Sequence, residues 1–264
     1  MLGHALVVVS DAHLGVTPPA VEERLLAFLG AVPTLGDCLL LNGDLFDFWY
    51  SYGRVIPRRG FHVAAALAAL ARRMPVLMVG GNHDRWGGDF WERDLGVRFH
   101  PHRLTFRVGE REVAAIHGDG LTETRRRAAL LHRIINHRVT SAVYRAVHPD
   151  LGLRLVDLLS PHLGDHTFDD AKLAEAARRQ QAWAEALLAR EPSLGLVIMG
   201  HTHRAALTRD ARGSEYLNPG AWFDGFHYAV AGTAASELRQ FPSSQPTPTT
   251  SAAPNRSPMK REPT

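Results

Sequence analysis

Cysteine is nearly absent: Cys38 is the one thiol in 264 residues. A single Cys forms no intrachain disulfide and no Cys-rich zinc site, so disulfide scaffolds and zinc ribbons are excluded and a reducing, cytoplasmic setting is expected. Long hydrophobic runs are missing as well. The first apolar stretch, Ala5 to Val9, is too short for a secretory h-region, and no later run approaches the roughly 18 apolar residues of a spanning helix. The expected protein is soluble or peripheral to a membrane. Neither sign of charge dominates, with 30 Lys and Arg against 27 Asp and Glu, and no internal repeat of fixed period is visible.

The small excess of +3 is unevenly placed. Arg256, Lys260 and Arg261 against Glu262 put a net +2 on the tail from Phe241 to Thr264. Seven Arg against Glu123, Asp150 and Asp157 put +4 on the segment from Leu121 to Ser160, leaving about −3 for the rest. A remainder of that sign does not bind polyanions, so no nucleic acid is expected as a partner. The tail also holds six Pro and eight Ser or Thr in 24 residues. It cannot bury enough surface to order itself.

What is present is an alternation of β-branched apolar runs with longer helical patterns, which reads as βαβ units. Strands are expected at Ala5–Ser10, Asp37–Asn42 and Pro75–Gly80, with helices at Ala20–Ala31 and Phe61–Arg72 between them. After Arg98 the period changes to two. Arg103–Val108 and Arg111–His117 read as a hairpin around Gly109-Glu110, so the sheets are mixed. From Thr122 to about Arg190 the pattern is helical, broken near Pro149 and Pro161, and Leu194–Gly200 is a further strand. Short strands are expected around Arg204–Arg209, Glu215–Asn218 and Tyr228–Ala231. The expected organisation is one α/β domain over 1–240 with a helical insert at about 121–190, followed by a disordered tail over 241–264.

Five polar clusters each follow an expected buried strand: Asp11-Ala12-His13, Gly43-Asp44, Gly81-Asn82-His83-Asp84, His117-Gly118-Asp119 and Gly200-His201-Thr202-His203. Singly, each is more often a polar loop or turn. Jointly, at the carboxyl ends of strands in one α/β domain, they converge on one ligand site. The period of an extended segment would put Asp11 and His13 on one side, and His201 and His203 likewise. Carboxylate, amide oxygen and imidazole without thiolate suit Mn²⁺, Fe²⁺, Zn²⁺ or Ni²⁺ rather than a structural zinc. Asp11, His13, Asp44, Asn82, His117, His201 and His203 are too many ligands for one open ion and enough for two.

In this order the motifs resemble the calcineurin-like metallophosphoesterases. The resemblance runs from about Val7 to Ala231 and implies a sandwich of two mixed β-sheets flanked by helices. It implies one metal on Asp11, His13, Asp44 and His203, and a second on Asn82, His117 and His201 with Asp44 shared. His83 would protonate the leaving oxygen, with Asp84 orienting its ring, and Asn82, His83 and His201 would also meet the substrate. Two divalent ions, expected to be Mn²⁺, neutralise phosphate oxygens and turn a bridging water into hydroxide at neutral pH.

The strings Gly43 to Trp49 and Tyr216 to Trp222, with a helical insert after His117-Gly118-Asp119, are similar to the UDP-2,3-diacylglucosamine diphosphatase branch of lipid A synthesis. That branch releases UMP and 2,3-diacylglucosamine 1-phosphate, and its insert is a lid that holds acyl chains. Leu130, Leu131, Ile134, Ile135, Val139, Val143 and Val147 fall at helical spacing among the Arg of the segment. Such an insert suits an apolar chain on an anionic head group, or the inner face of the cytoplasmic membrane; an ordinary helical hairpin with solvated Arg would show the same pattern. His83 stands where that branch carries Arg, as in general phosphoesterases. The alternatives are therefore a broader phosphodiesterase or phosphatase acting on nucleotides or phosphoproteins, and a non-catalytic scaffold of the same fold.

Overall fold

A computed structural model describes residues 2–121, 138–163 and 170–243. The expected disorder of the tail beyond 243 and the apolar and Arg positions at 122–137 lie outside the described residues.

Two mixed sheets pack face to face, with helices on their outer faces. The first runs in the order β11-β10-β1-β2-β3-β4. Its parallel strands are β1 (Ala5–Val9), β2 (Cys38–Asn42), β3 (Val76–Val79) and β4 (Arg98–His100). Antiparallel β10 (His227–Gly232) and β11 (Ser236–Gln240) extend it beyond β1. The second runs β5-β6-β7-β9-β8, from β5 (Arg103–Val108), β6 (Arg111–Ile116), β7 (Leu194–Ile198), β8 (Ala206–Arg209) and β9 (Glu215–Asn218). Within it β6, β7 and β9 are parallel.

Alternation along β1 shows why these runs are apolar throughout. Leu6 and Val8 face the second sheet and pack with Val113, Ala115, Leu196 and Ile198. Val7 and Val9 face outward and pack with Phe28 and Leu29 of α1 (Pro19–Leu35) and Leu67 of α2 (Phe61–Ala71). A strand covered on both sides has no wet face to alternate toward. The short α3 (Phe90–Arg93) follows β3.

The insert segment contributes α4 (Arg138–Ala146), α5 (Pro149–Leu163) and α6 (Asp170–Arg190). Ala184, Leu187 and Leu188 of α6 pack on Val197, Met199 and Tyr216, so the end of this helix covers the outer face of the second sheet. Pro149 opens α5, as a first-turn proline can, whereas Pro161 lies inside it and does not end it. Pro33 likewise sits in the last turn of α1, where the missing N–H removes one hydrogen bond, and the helix runs on to Leu35. Strands β1, β2, β3, β6 and β7 all end at one edge of the sandwich, and the five polar clusters begin there.

Candidate active site

Strands β1, β3, β6 and β7 end one or two residues before the expected positions, at Val9, Val79, Ile116 and Ile198, and this changes how the motifs work. Asp11 and His13 have φ of +54° and +45°, and His201 and His203 have +66° and +58°. They are therefore not alternating positions of an extended segment, as the spacing leads one to expect. Each sits in left-handed backbone just past a strand end, and Asp44 does too, at +52°. Among the described residues only Phe226 shares this conformation without being Gly. Left-handed backbone disfavours side chains, and its concentration at one place marks a site held under strain.

The turns are fixed by main-chain bonds between loops. Asp11 N–H donates to Gly43 O at 3.1 Å, and Ala12 and His13 N–H both donate to Asp44 O at 2.9 and 3.0 Å. The His201 N–H meets both oxygens of Asp11 at 3.1 Å. Gly43 abuts the His117 ring so closely that a β-carbon there would strike it, and its φ is +86°.

Three overlapping groups of ligand atoms result: Asp11, His13 and His203; Asp44, His117 and His201; and His13, Asp44 and His83, which joins the other two, each within 4.8 Å. His13 Nε2 and His203 Nε2 face each other at 3.3 Å, and His203 Nε2 lies 3.4 Å from Asp11 Oδ1. Asp44 Oδ2 lies between the groups, 3.0 Å from His117 Nε2 and 3.9 Å from His13 Nε2. The carboxylates are shut away, Asp11 at 0 % and Asp44 at 2 % exposure.

These donors fit a cation. His117 Nδ1 donates to Asn42 O at 2.8 Å, which leaves Nε2 unprotonated in the neutral ring. That Nε2 and the Oδ1 of Asn82 are each buried and have no hydrogen-bond partner among the described residues. His117 Nε2 lies 3.0 Å from Asp44 Oδ2. Buried acceptors without donors are costly unless a positive ion takes the donors' place.

The charges say the same. Burial works against it, but the Asp44 and Asp11 carboxylates push the His117 imidazole up to about 10. Burial and the charged His117 beside it pull His201 down to about 4. Burial would raise Asp44, yet the imidazoles of His117, His83 and His13 hold it well below the usual carboxylate range.

His83 borders the first group and is part-exposed. Its Nδ1 donates to the Asp47 main-chain O at 2.5 Å, and the Asp47 carboxylate lies 3.6 Å away. Asp84 does not orient this ring: its oxygens accept from Gly81 N–H at 2.9 Å and Leu45 N–H at 2.7 Å, and so hold the turn that carries Asn82 and His83. Burial, then the Asp44 charge, raise Asp84 to about 6. Asp47 was legible only as part of the Gly43 to Trp49 string. Its role follows from the loop running back past His83, where Trp49 N–H donates to His83 O at 3.1 Å. Phe223 was missed altogether; its ring meets His203 and His13 edge-on, centroids 5.1 and 5.7 Å apart. Arg85 ties the turn to Asp119 through an ion pair and to Gly81 O at 2.9 Å.

The profile of the calcineurin-like phosphoesterases matches residues 4–205 of this chain. A UDP-2,3-diacylglucosamine hydrolase of Porphyromonas gingivalis is 28% identical over 212 residues, covering 74% of this chain and 81% of its own length. One of Sodalis glossinidius is 26% identical over 237 residues, covering 88% and 96%. An archaeal phosphodiesterase of known structure is 12% identical and covers 90% of this chain and 99% of its own, with a TM-score of 0.48.

Proposed function

The chain belongs to the calcineurin-like phosphoesterase family, and from that premise we propose that it hydrolyses the diphosphate of UDP-2,3-diacylglucosamine at a dinuclear metal centre. The observation that carries the dinuclear reading is Asp44, which is shared between the group on the His13 side and the group of His117 and His201. One ion is assigned to Asp11, His13, Asp44 and His203, the other to Asp44, Asn82, His117 and His201. When bound, two such ions, Mn²⁺ in our reading, supply charge neutralisation and a hydroxide at neutral pH.

The chain's own groups do the rest. His83 donates through Nδ1 to Asp47, which leaves Nε2 to give a proton to the departing oxygen. Although burial opposes it, the Asp44 and Asp47 carboxylates raise His83 above the usual imidazole range, which favours the protonated form that an acid needs. Asn82, His83 and His201 meet the phosphate oxygens.

Two findings support the lipid-linked substrate: the names of the relatives, and the insert. Leu151, Leu155 and Leu158 of α5 are 61%, 45% and 67% exposed and lie at i, i+4 and i+7, one face of the helix. An apolar face with Arg154 beside it suits acyl chains and an anionic head group at the cytoplasmic face of a membrane. No helix among the described residues is long and apolar enough to cross one. In this reading residues 1–240 form one domain and its insert.

His83 favours a second reading, a broader phosphodiesterase, because an imidazole acid is not tied to one leaving group. The test is release of UMP from UDP-2,3-diacylglucosamine by Mn²⁺-loaded protein, beside cleavage of bis(p-nitrophenyl) phosphate. UMP formed with the higher kcat/KM supports the first reading. Cleavage of the aryl diester with no UMP sinks it and leaves the second.

A further inference from the structure

Among the polar side chains outside the ligand set that are wholly buried against it is Gln180 of α6, at 0 % exposure. Its Nε2 donates to Gly200 O at 2.9 Å. Asn218 Nδ2 donates to the same oxygen at 3.1 Å. On its other side the amide lies against Gly118, where a β-carbon would come within 2.9 Å of Nε2 and 3.3 Å of Cδ. Gly118 follows His117 and Gly200 precedes His201, so the Gln180 amide is wedged between the loops that carry these two imidazoles. The loops also bond directly, Gly200 N–H to His117 O at 2.9 Å.

The wedge is firmly based. Ala184, Leu187 and Leu188, one and two turns further along α6, are buried against β7 and β9, and this fixes Gln180 over the end of β7. The amide is also held at a cost. Its Oε1 is buried with no hydrogen-bond partner among the described residues, and a buried polar atom left so is destabilising. An apolar side chain of the same length would fill the space without that penalty, but would leave Gly200 O with one donor fewer and nothing polar against Gly118.

We propose that Gln180 is a positioning residue that sets the separation of His117 and His201, and through it the affinity of the half of the centre they serve. The inference rests on the dinuclear reading above. It makes α6, which follows the lid segment in the chain, a direct support of one metal position, and it predicts unequal effects on the two halves. Asp11, His13 and His203 are also held by Gly43, Asp44 and Phe223 contacts that do not involve Gln180, so the bond from His201 N–H to Asp11 passes them a smaller share of the disturbance.

The test is Mn²⁺ binding to Q180M, which keeps the length of the side chain and removes the donor. Titration and electron paramagnetic resonance of wild-type protein should count two Mn²⁺ per chain with a spin-coupled signal. In Q180M one affinity should fall roughly 10–100-fold, the usual effect of losing an outer support; the other should stay, and the coupled signal should give way to that of an isolated ion. Unchanged affinities and an unchanged coupled signal, with wild type binding two, overturn the role of Gln180 alone. Fewer than two ions in wild type overturn the dinuclear reading and this inference with it. Should Q180M fail to fold, Q180N, an amide one methylene too short to reach Gly200 O, carries the same measurement.

Discussion

Replacing His83 by Ala separates acid catalysis from metal chemistry where metal content is unchanged, which must be measured because His83 shares a group of ligand atoms with His13 and Asp44. Its ring is held by Asp47 at 2.5 Å through the main chain and 3.6 Å from the carboxylate. A positioned general acid contributes about 10²–10⁴-fold, or about 3–5 kcal/mol of barrier. That loss should appear in full with a sugar phosphate or alkyl leaving group and shrink with p-nitrophenolate, which departs without a proton. Turnover of one alkyl and one aryl diester by Mn²⁺-loaded wild type and H83A, with metal content measured in each, makes the comparison. Asp47→Asn should act in the same direction more weakly, since the main-chain O survives. The sign of its pH effect follows from the cause: burial lowers His83, while the Asp44 and Asp47 charges raise it. Removing the Asp47 charge lets the acid deprotonate earlier, so the alkaline limb of kcat should move to lower pH. Equal losses on both leaving groups, or an unmoved limb in D47N, would refute the assignment of His83 as the acid.

Two other perturbations test the site and its frame. Asp44→Ala removes the oxygen between both groups, 3.0 Å from His117 Nε2; bound Mn²⁺ should drop below two per chain and turnover by more than the roughly 10–100-fold typical of an outer support, and a variant with two ions and full activity would rule out a shared ligand. Glu215 is wholly buried between Arg111 and Arg209, at 2.7 and 2.5 Å, so E215Q strands a buried Arg111 and should lower stability by about 3–5 kcal/mol in denaturant titrations. Burial would raise the Glu215 carboxyl, but bonds from Ser236, Arg111 and Arg209 hold it below its ordinary value. Its contribution is therefore complete above the ordinary Glu range and lost as pH falls through the lowered folded value; the gap between wild type and E215Q should close in acid, and a gap independent of pH would refute the pairing.

Legibility in the sequence followed burial. The β1, β2, β3 and β7 runs are apolar on both faces because helices and a second sheet cover them, and that continuity marks them without any knowledge of partners. Edge strands gave no such mark: β4 carries Arg98 and His100, and β11 reads Ser-Glu-Leu-Arg-Gln with four of five residues exposed. The ligand residues were legible as types placed after strands. Their conformation was not, because left-handed φ at Asp11, His13, Asp44, His201 and His203 is imposed by bonds between loops distant in sequence. The partner of His83 was misplaced for the same reason. A neighbour in sequence, Asp84, turns away to hold the main chain, while Asp47 reaches the ring from another loop.

That imposed conformation bears on how metal binds. Left-handed backbone costs a non-glycine residue on the order of 1–2 kcal/mol, and five such residues together approach the net stability of a domain, about 5–15 kcal/mol. They persist because the two-sheet core and the inter-loop bonds determine them, so the site is formed before an ion arrives. Chelation should therefore leave the far-ultraviolet circular dichroism intact, unlike small zinc domains that unfold without metal. What chelation changes is protonation. Against burial, Asp44 and Asp11 push metal-free His117 up to about 10, so throughout the neutral range an ion that takes Nε2 must displace one proton. Affinity at that half of the centre should then rise with pH, about tenfold per unit, and calorimetry in two buffers of different ionisation heat should count one proton released for that ion. A pH-independent affinity with no proton released would mean that His117 Nε2 is not a ligand, whatever its distance from Asp44.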